Sequence, residues 1–216
     1  MNFLALAKRL RQEAGYSGNG PSTVTNQAGE ARRIVDWVSS AWVDIQGMRE
    51  QWRFMRHTFS WNLAAGEMTG DTAISNFKRV KPHSTVITRA DGSKYRPTEL
   101  SPDDMRLLVR EKTNNAGLPE YFSIDDGQLT IFPTTNEAIA IEGDFYCTPK
   151  ILTENNDVPS MPEHYHMAIV WYALMQIGGF DEASNLYIRG AQNFDQLFRL
   201  MTDTELPRIQ PARPLA

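Results

Sequence analysis

The chain reads as an α+β protein: a helical bundle formed by N- and C-terminal helices, with an inserted antiparallel β domain and an extended C-terminal arm. Three observations predict this. Apolar residues recur at helical spacing near both ends of the chain. In the middle they alternate with polar residues, as a half-buried strand requires. The last stretch, "ELPRIQPARPLA", carries three prolines and no period at all. The expected boundaries are 1–56 for the first part of the bundle, 57–159 for the β domain and its connector, 160–204 for the second part of the bundle, and 205–216 for the arm.

The elements follow in order. Asn2 is placed to cap a short helix whose apolar face is Phe3, Leu6, Ala7 and Leu10. "AGYSGNGPST" then interrupts it with three glycines and a proline. From about Asn26 a longer helix is predicted, with Ala31, Ile34, Val35, Val38, Trp42, Ile45, Met48 and Trp52 on one stripe. At "HTFSWNL" the period changes to two, with Phe59, Trp61 and Leu63 on one face. The glycine-containing "AAGEMTGDTA" reads as a mobile hairpin loop. Asp91-Gly92 and Asp126-Gly127 are two-residue hairpin turns. Between them, Ser101 as N-cap, Pro102 in the first turn and Asp103 and Asp104 behind it predict a short helix. "EAIAIEGDFYCTP" alternates again and closes the β segment.

"DVPSMPEHYHMAIVWYAL" returns to helix. Ser160 and Glu163 have the spacing of a capping box, and Pro162 suits a first turn. The helix is apolar almost all round, which marks it as central, and Gly178-Gly179 is expected to end it. Asp181 is expected to cap a last helix of about 22 residues, or ~33 Å. Its stripe is Ala183, Leu186, Tyr187, Ala191, Phe194, Leu197, Phe198 and Met201.

Composition narrows the function. The 22 basic and 26 acidic residues leave a net charge of −4, which argues against tight general binding to nucleic acid. Cys147 is the only cysteine, so an intrachain disulfide and a cysteine-based zinc cluster are excluded. No stretch approaches the ~18 apolar residues of a membrane span. The first residues carry Lys8, Arg9 and Arg11 too evenly for a signal peptide. The expectation is a soluble product made in the cytoplasm, with no membrane partner.

Each chemical candidate has a structural explanation. On a helix His164 and His166 point about 200° apart, so they cannot share a metal. The H-E-x-x-H pattern of zinc helices is absent. His57 and His83 have no nucleophile motif near them. The pairs Asp103-Asp104 and Asp125-Asp126 are accounted for by a helix start and a turn. The glycines of residues 64–73 lack the Lys-Ser or Lys-Thr of a phosphate-binding loop. No catalytic residue, cofactor or metal ligand is predicted, and the reading is that the protein is not an enzyme. Two alternatives stay in view. One is a small hydrolase using His57, His83 or the aspartates. The other is a small nucleic-acid-binding protein presenting Arg32, Arg33, Arg49, Arg53 and Arg56 on one face.

The order of the parts carries more information than any residue. A helix pair ending in "REQWRFMR" is followed by "LPEYFSIDDGQLTIFPTTNEAIAIEGDFYCTPKIL", then "NDVPSMPEHYHMAIVWYAL", then a long closing helix. The most specific portion is "D-G-x-L-x-I-x-P", a strand ending at Pro149, "D-V-P", and an aromatic-rich helix. In this succession the chain resembles the head-to-tail adaptor proteins of tailed bacteriophages, also described as head completion or tail tubular A–like connectors, over nearly its whole length. The resemblance implies a structural virion protein at the head-tail junction. Several copies, typically twelve, would form a ring under the capsid portal and continue the DNA channel. Its partners would be further copies of itself, the portal protein and a tail or nozzle protein, with double-stranded DNA passing through the lumen without specific binding. By position, the portal-binding segment implied here is Leu206, Pro207, Arg208, Ile209, Pro211, Arg213 and Pro214.

Overall fold

The computed structural model describes residues 1–18 and 20–207. The fold is α+β, and the chain divides into two units: Met1–Met55 with the chain from Pro149 onward, and Arg56–Thr148. The first is helical, with α1 (Phe3–Ala14), α2 (Gly29–Gly47), α4 (His166–Phe180) and α5 (Ser184–Glu205). The remaining helix, α3 (Pro102–Glu111), belongs to the second.

In the helical unit, α4 is the centre, because it packs on α1, α2 and α5 alike. Its burial explains why it is apolar on nearly every side. Helix α1 begins where Asn2 accepts a hydrogen bond from the Ala5 amide at 2.9 Å. It buries the predicted Phe3, Leu6, Ala7 and Leu10, and ends at Gly15, whose φ of 75° suits glycine.

Helix α2 departs from expectation at both ends. It starts at Gly29 behind Ala28, which makes no side-chain cap, and it ends at Gly47, short of Trp52. The chain turns there, yet Trp52 is fully buried and its indole N–H donates to the Ile45 carbonyl at 3.0 Å. A tryptophan that folds back into the core mimics a further helical turn in the sequence pattern.

The start of α4 also differs. Ser160 stays exposed, and a 3-10 turn, Glu163–Tyr165, leads into the helix. The Glu163 carboxylate instead accepts from the Met1 ammonium at 3.0 Å. Gly178 and Gly179 do not stop α4, which continues to Phe180. Asp181 does not cap α5, which begins behind Ala183; its carboxylate accepts from the Tyr16 hydroxyl at 2.8 Å.

The β unit contains β1 (Arg56–Leu63), β2 (Phe77–Val80), β3 (Val86–Thr88), β4 (Lys94–Tyr95), β5 (Thr98–Glu99), β6 (Tyr121–Asp125), β7 (Gln128–Phe132) and β8 (Ile139–Cys147). The first sheet runs β1-β8-β3-β4, with β2 also on β8. Pairing of β1 with β8 extends from Arg56 opposite Tyr146 to Leu63 opposite Ile139. The second sheet is β5-β6-β7, and the short β5–β6 contact is parallel where the other pairings are antiparallel. Of the two predicted two-residue turns, Asp126-Gly127 forms as such, whereas Asp91-Gly92 lies in a longer loop in which the Arg89 amide donates to the Ser93 carbonyl and the Gly92 amide to the Arg89 carbonyl, both at 2.9 Å. Asp126 and Gly127 take φ of 46° and 78°, the left-handed pair that a two-residue turn requires. Phe59, Trp61 and Leu63 of β1, Ile139, Ile141 and Phe145 of β8, and Phe122, Ile124, Leu129 and Ile131 of the second sheet share one core. Helix α3 starts as predicted, with Ser101 accepting from the Asp104 amide at 3.1 Å.

The segment 64–76 is not a loose loop. Met68 accepts from the Ile131 amide at 2.8 Å, Gly70 donates to Leu129 at 3.1 Å, and Ile74 donates to Gly127 at 2.9 Å. The Trp61 indole N–H donates to the Thr72 carbonyl at 2.8 Å. This segment extends the second sheet along β7, satisfying an edge that water would otherwise cover.

Residues 149–159 are tied to the helical unit by polar side chains. Gln46, buried in α2, accepts from the Lys150 amide at 2.9 Å and donates to the Lys150 carbonyl at 3.0 Å. Asn155 accepts from the Val24 amide at 2.7 Å, and the Asp157 carbonyl accepts from the Phe3 amide at 2.7 Å. The Asp157 carboxylate caps its own turn through the Thr153 and Glu154 amides at 2.7 and 2.9 Å. Those backbone donors hold its pKa below the ordinary carboxylate value.

Candidate interaction surface

The closing helix α5 is the outermost member of the bundle. It spans 22 residues, but only Gly190 and Met201 are fully buried. Its hold on α4 comes from two glycines. A Cβ on Gly178 would lie 2.8 Å from the Tyr187 Cα, and one on Gly190 would lie 2.6 Å from the Met175 nitrogen. The helix backbones therefore approach closely at two points, and the aromatic residues Phe194 and Phe198 fill the contact beyond them, with Tyr172 4.9 Å from Phe194.

The C-terminal end of α5 is pinned. The Tyr165 hydroxyl lies 2.7 Å from the Thr204 hydroxyl and 3.4 Å from the Leu200 carbonyl. This is where the predicted arm begins. Leu206 is half-buried and Pro207 exposed; Arg208, Ile209, Pro211, Arg213 and Pro214 lie outside the described residues.

At the opposite end of α5 an aromatic patch surrounds the α4–α5 turn. Phe180 is 63% exposed, Ile188 53% and Tyr187 48%. The Phe180 ring stands 6.2 Å from that of Trp37, and the Arg33 guanidinium lies 5.5 Å over its centre. Tyr16, Glu30 and Asp181 complete one shallow hollow beside Phe180. Gly178, Gly179, Glu182, Tyr187 and Ile188 line a second, of about 410 Å³. Burial, reinforced by the Asp181 hydrogen bond, raises the Tyr16 pKa to about 12, so this hydroxyl stays a proton donor.

The chemical candidates do not converge. His57 sits exposed on β1 against the Phe145 ring, at 5.7 Å, and His83 is exposed in a turn with φ of 60°. Asp103 and Asp125 both pair with Arg106, and Asp126 is a turn residue. His164 is exposed, whereas His166 is buried: its Nδ1 lies 2.7 Å from the Met1 ammonium and its Nε2 3.1 Å from the Met161 carbonyl. Among the described residues no group of three or more His, Cys, Asp or Glu is placed to hold a metal ion, and no helix is long and apolar enough to cross a membrane. The Cys147 thiol is pushed up in pKa by burial, away from the reactive thiolate. Of the arginines, Arg32 pairs with Asp36 at 3.6 Å, Arg33 lies on Phe180, and Arg49 lies 5.3 Å over Phe198. These three are engaged within the fold.

The roles of Gln46, Asn155, Gly178 and Gly190 are absent from the sequence reading. Their polar or flexible character is visible there, but the partners that give them meaning lie on other elements of the fold.

Residues 1–215 match the family model described as SU10 adaptor protein, and the chain belongs to that family of phage head-to-tail adaptors. A search of curated proteins found no match.

Proposed function

We propose that this chain assembles into a ring, twelve-fold by the family resemblance, that joins the capsid portal to the tail and continues the DNA channel at the head-tail junction of the virion. The observation that carries the reading is the family match over residues 1–215, together with a pinned α5 that leads directly into a proline-rich segment. Leu206, Pro207, Arg208, Ile209, Pro211, Arg213 and Pro214 form the portal-docking arm. Stiffened by prolines, such an arm loses less entropy on docking than a flexible one. Ile209 supplies an apolar anchor, and Arg208 and Arg213 meet acidic groups on the portal. A nozzle or tail protein binds the opposite face of the ring. The net charge of −4 per chain suits a lumen along which DNA phosphates slide without sticking.

Electron microscopy of the purified chain mixed with portal rings from the same genome tests this. A stacked ring on the narrow end of the portal, lost when the chain is truncated after Glu205, is the expected result. A stack that survives truncation refutes the arm assignment, and no stack at any salt concentration refutes the adaptor reading for this pair.

A further inference from the structure

Strand β1 is the outermost strand of the first sheet, bonded on one side to β8. Which of its residues face outward follows from β8. The Lys81 amide donates to the Asp144 carbonyl at 2.9 Å, and the Asp144 amide donates to the Ser84 hydroxyl at 3.0 Å. Asp144 thus aims its backbone groups toward β2 and β3, and by alternation Glu142 and Ala140 do the same. Gly143 and Ile141 then bond to their β1 partners Phe59 and Trp61. Arg56, Thr58, Ser60 and Asn62 are left with amide and carbonyl aimed away from the sheet, and their side chains are exposed. Among the described residues no backbone hydrogen bond reaches these groups. The run closes at Ala64, whose amide donates to the Glu67 carboxylate at 2.7 Å. A bare edge of this length is a template for another strand. The other edges are blunted: β4 and β5 are two residues long, β2 carries a register shift between Phe77 and Arg79, and β7 is lined by residues 64–76.

We infer that β1 pairs with β1 of a second copy of this chain, antiparallel about a two-fold axis that passes between the two Phe59 residues. In that register Arg56 lies opposite Asn62 of the second copy, and Thr58 lies opposite Ser60 of the second copy. Every outward-facing residue of the run therefore meets another. Each such pair exchanges both its hydrogen bonds, about eight in all. Thr with Ser is a favourable cross-strand pair, and no like charges face each other. At each end Arg56 comes beside the Glu67 carboxylate that closes the run on the second copy, so the charges also complement. The chain's own arm fits less well. Residues 208–216 are the one stretch outside the described residues long enough to cover the run. Any match to all four outward residues takes in Pro211 or Pro214, neither of which has an N–H to offer. A two-fold pair closes on itself, whereas a ring joins unlike surfaces. This contact is therefore separate from the ring proposed above and does not rest on it. It withdraws an adhesive edge from other strands.

Sedimentation velocity over a concentration series of the full chain reads this directly. A monomer–dimer equilibrium that stops at the dimer is expected. The double variants Thr58→Lys/Ser60→Lys and Thr58→Glu/Ser60→Glu each set like charges opposite one another across the two-fold. Each should weaken the dimer at least tenfold, with melting curves confirming that both remain folded. An equimolar mixture of the two should form dimers again, because lysine then faces glutamate in both central pairs; damage to the fold would not be repaired by mixing. Truncation after Pro207 should leave the wild-type dimer intact. A chain that stays monomeric up to about 1 mM, the weak end of specific recognition, overturns the inference. If truncation then releases association, the arm occupies the edge in place of a second copy. Assembly beyond the dimer, a dimer that the charged variants leave unchanged, or a mixture that stays monomeric also overturns it, because the contact then uses another face or another register.

Discussion

Gly178 of α4 and Gly190 of α5 each lie against the backbone of the other helix. A side chain on Gly178 would meet the Leu186–Tyr187 peptide, with the Tyr187 Cα at 2.8 Å, and one on Gly190 would meet Met175 and the Trp171 carbonyl at 2.6 and 2.8 Å. Because both obstacles are backbone, neither can rotate aside. Gly178→Ala and Gly190→Ala are each expected to force the helices apart and destabilise the protein by about 1–3 kcal/mol. Gly179→Ala is the control: its new Cβ meets only the Tyr187 ring edge at 3.9 Å, so the substitution should be neutral or stabilising by up to about 1 kcal/mol from helix propensity. Urea unfolding of the three variants checks the contrast.

Gln46 is 1% exposed and satisfies both backbone groups of Lys150. Replacing it with leucine of similar size would leave the Lys150 amide without that partner. A loss of about 1–3 kcal/mol is expected, together with faster amide hydrogen exchange through residues 149–157. Unchanged exchange there would show that the connector is held by Asn155 and Asp157 alone.

Burial lowers the pKa of His166 from its ordinary 6.5, with the Met1 ammonium acting in the same direction. The folded state therefore binds its proton less readily than the unfolded state. Linkage then makes stability rise with pH between the lowered value and 6.5, and level off above it. Acidification below about pH 6.5 should destabilise the protein through this residue. His166→Gln should flatten that part of the profile, whereas His164→Gln, at an exposed position, should leave it intact. Chemical unfolding at half-unit pH intervals from 4.5 to 8, a window set by the ordinary imidazole value, gives the comparison.

Gly127 combines a positive φ of 78° with close contact to Ile74, whose nitrogen would lie 2.9 Å from an added Cβ. Gly127→Ala should cost about 1–3 kcal/mol or more from backbone strain and displacement of the neighbouring chain. Residues 64–76 would be released from β7 first, so limited proteolysis should cut there in the variant and spare the native protein. Equal cleavage of both would mean that the segment is held by Trp61 and Met68 without the turn.

Much of the fold was legible because its signals are local. Asn2 and Ser101 cap helices through bonds to residues three positions away, and Asp126-Gly127 shapes a turn from its own backbone preferences. The alternation of Phe59, Trp61 and Leu63 follows from the pleat of a single strand. The misread features share a different origin. Asp181 and Ser160 have the right types for helix caps, but each helix begins elsewhere, and Asp181 is engaged by Tyr16 from a distant part of the chain. Gly178-Gly179 looked like a stop signal because glycine usually marks a helix end. Here it allows a second helix to come close. Trp52 extended an apparent stripe that the chain had already left.

The arm is the reverse case. Its three prolines and two arginines can be read only from sequence, and its expected role in docking follows from that composition and from the family resemblance. The aromatic surface at the α4–α5 turn is invisible there: Trp37, Phe180, Tyr187 and Tyr16 are scattered over three helices and the end of a fourth, and of these only Tyr187 falls on a predicted apolar stripe. By itself, the sequence determined the alternation of helical and β segments, the main caps and turns, and the succession of parts that marks the adaptor family. The tertiary structure decided which glycines are contacts, which loop is a sheet edge and which aromatic residues face outward. Those outcomes depend on what each residue meets across the fold, and a one-dimensional pattern records only what lies within a few positions.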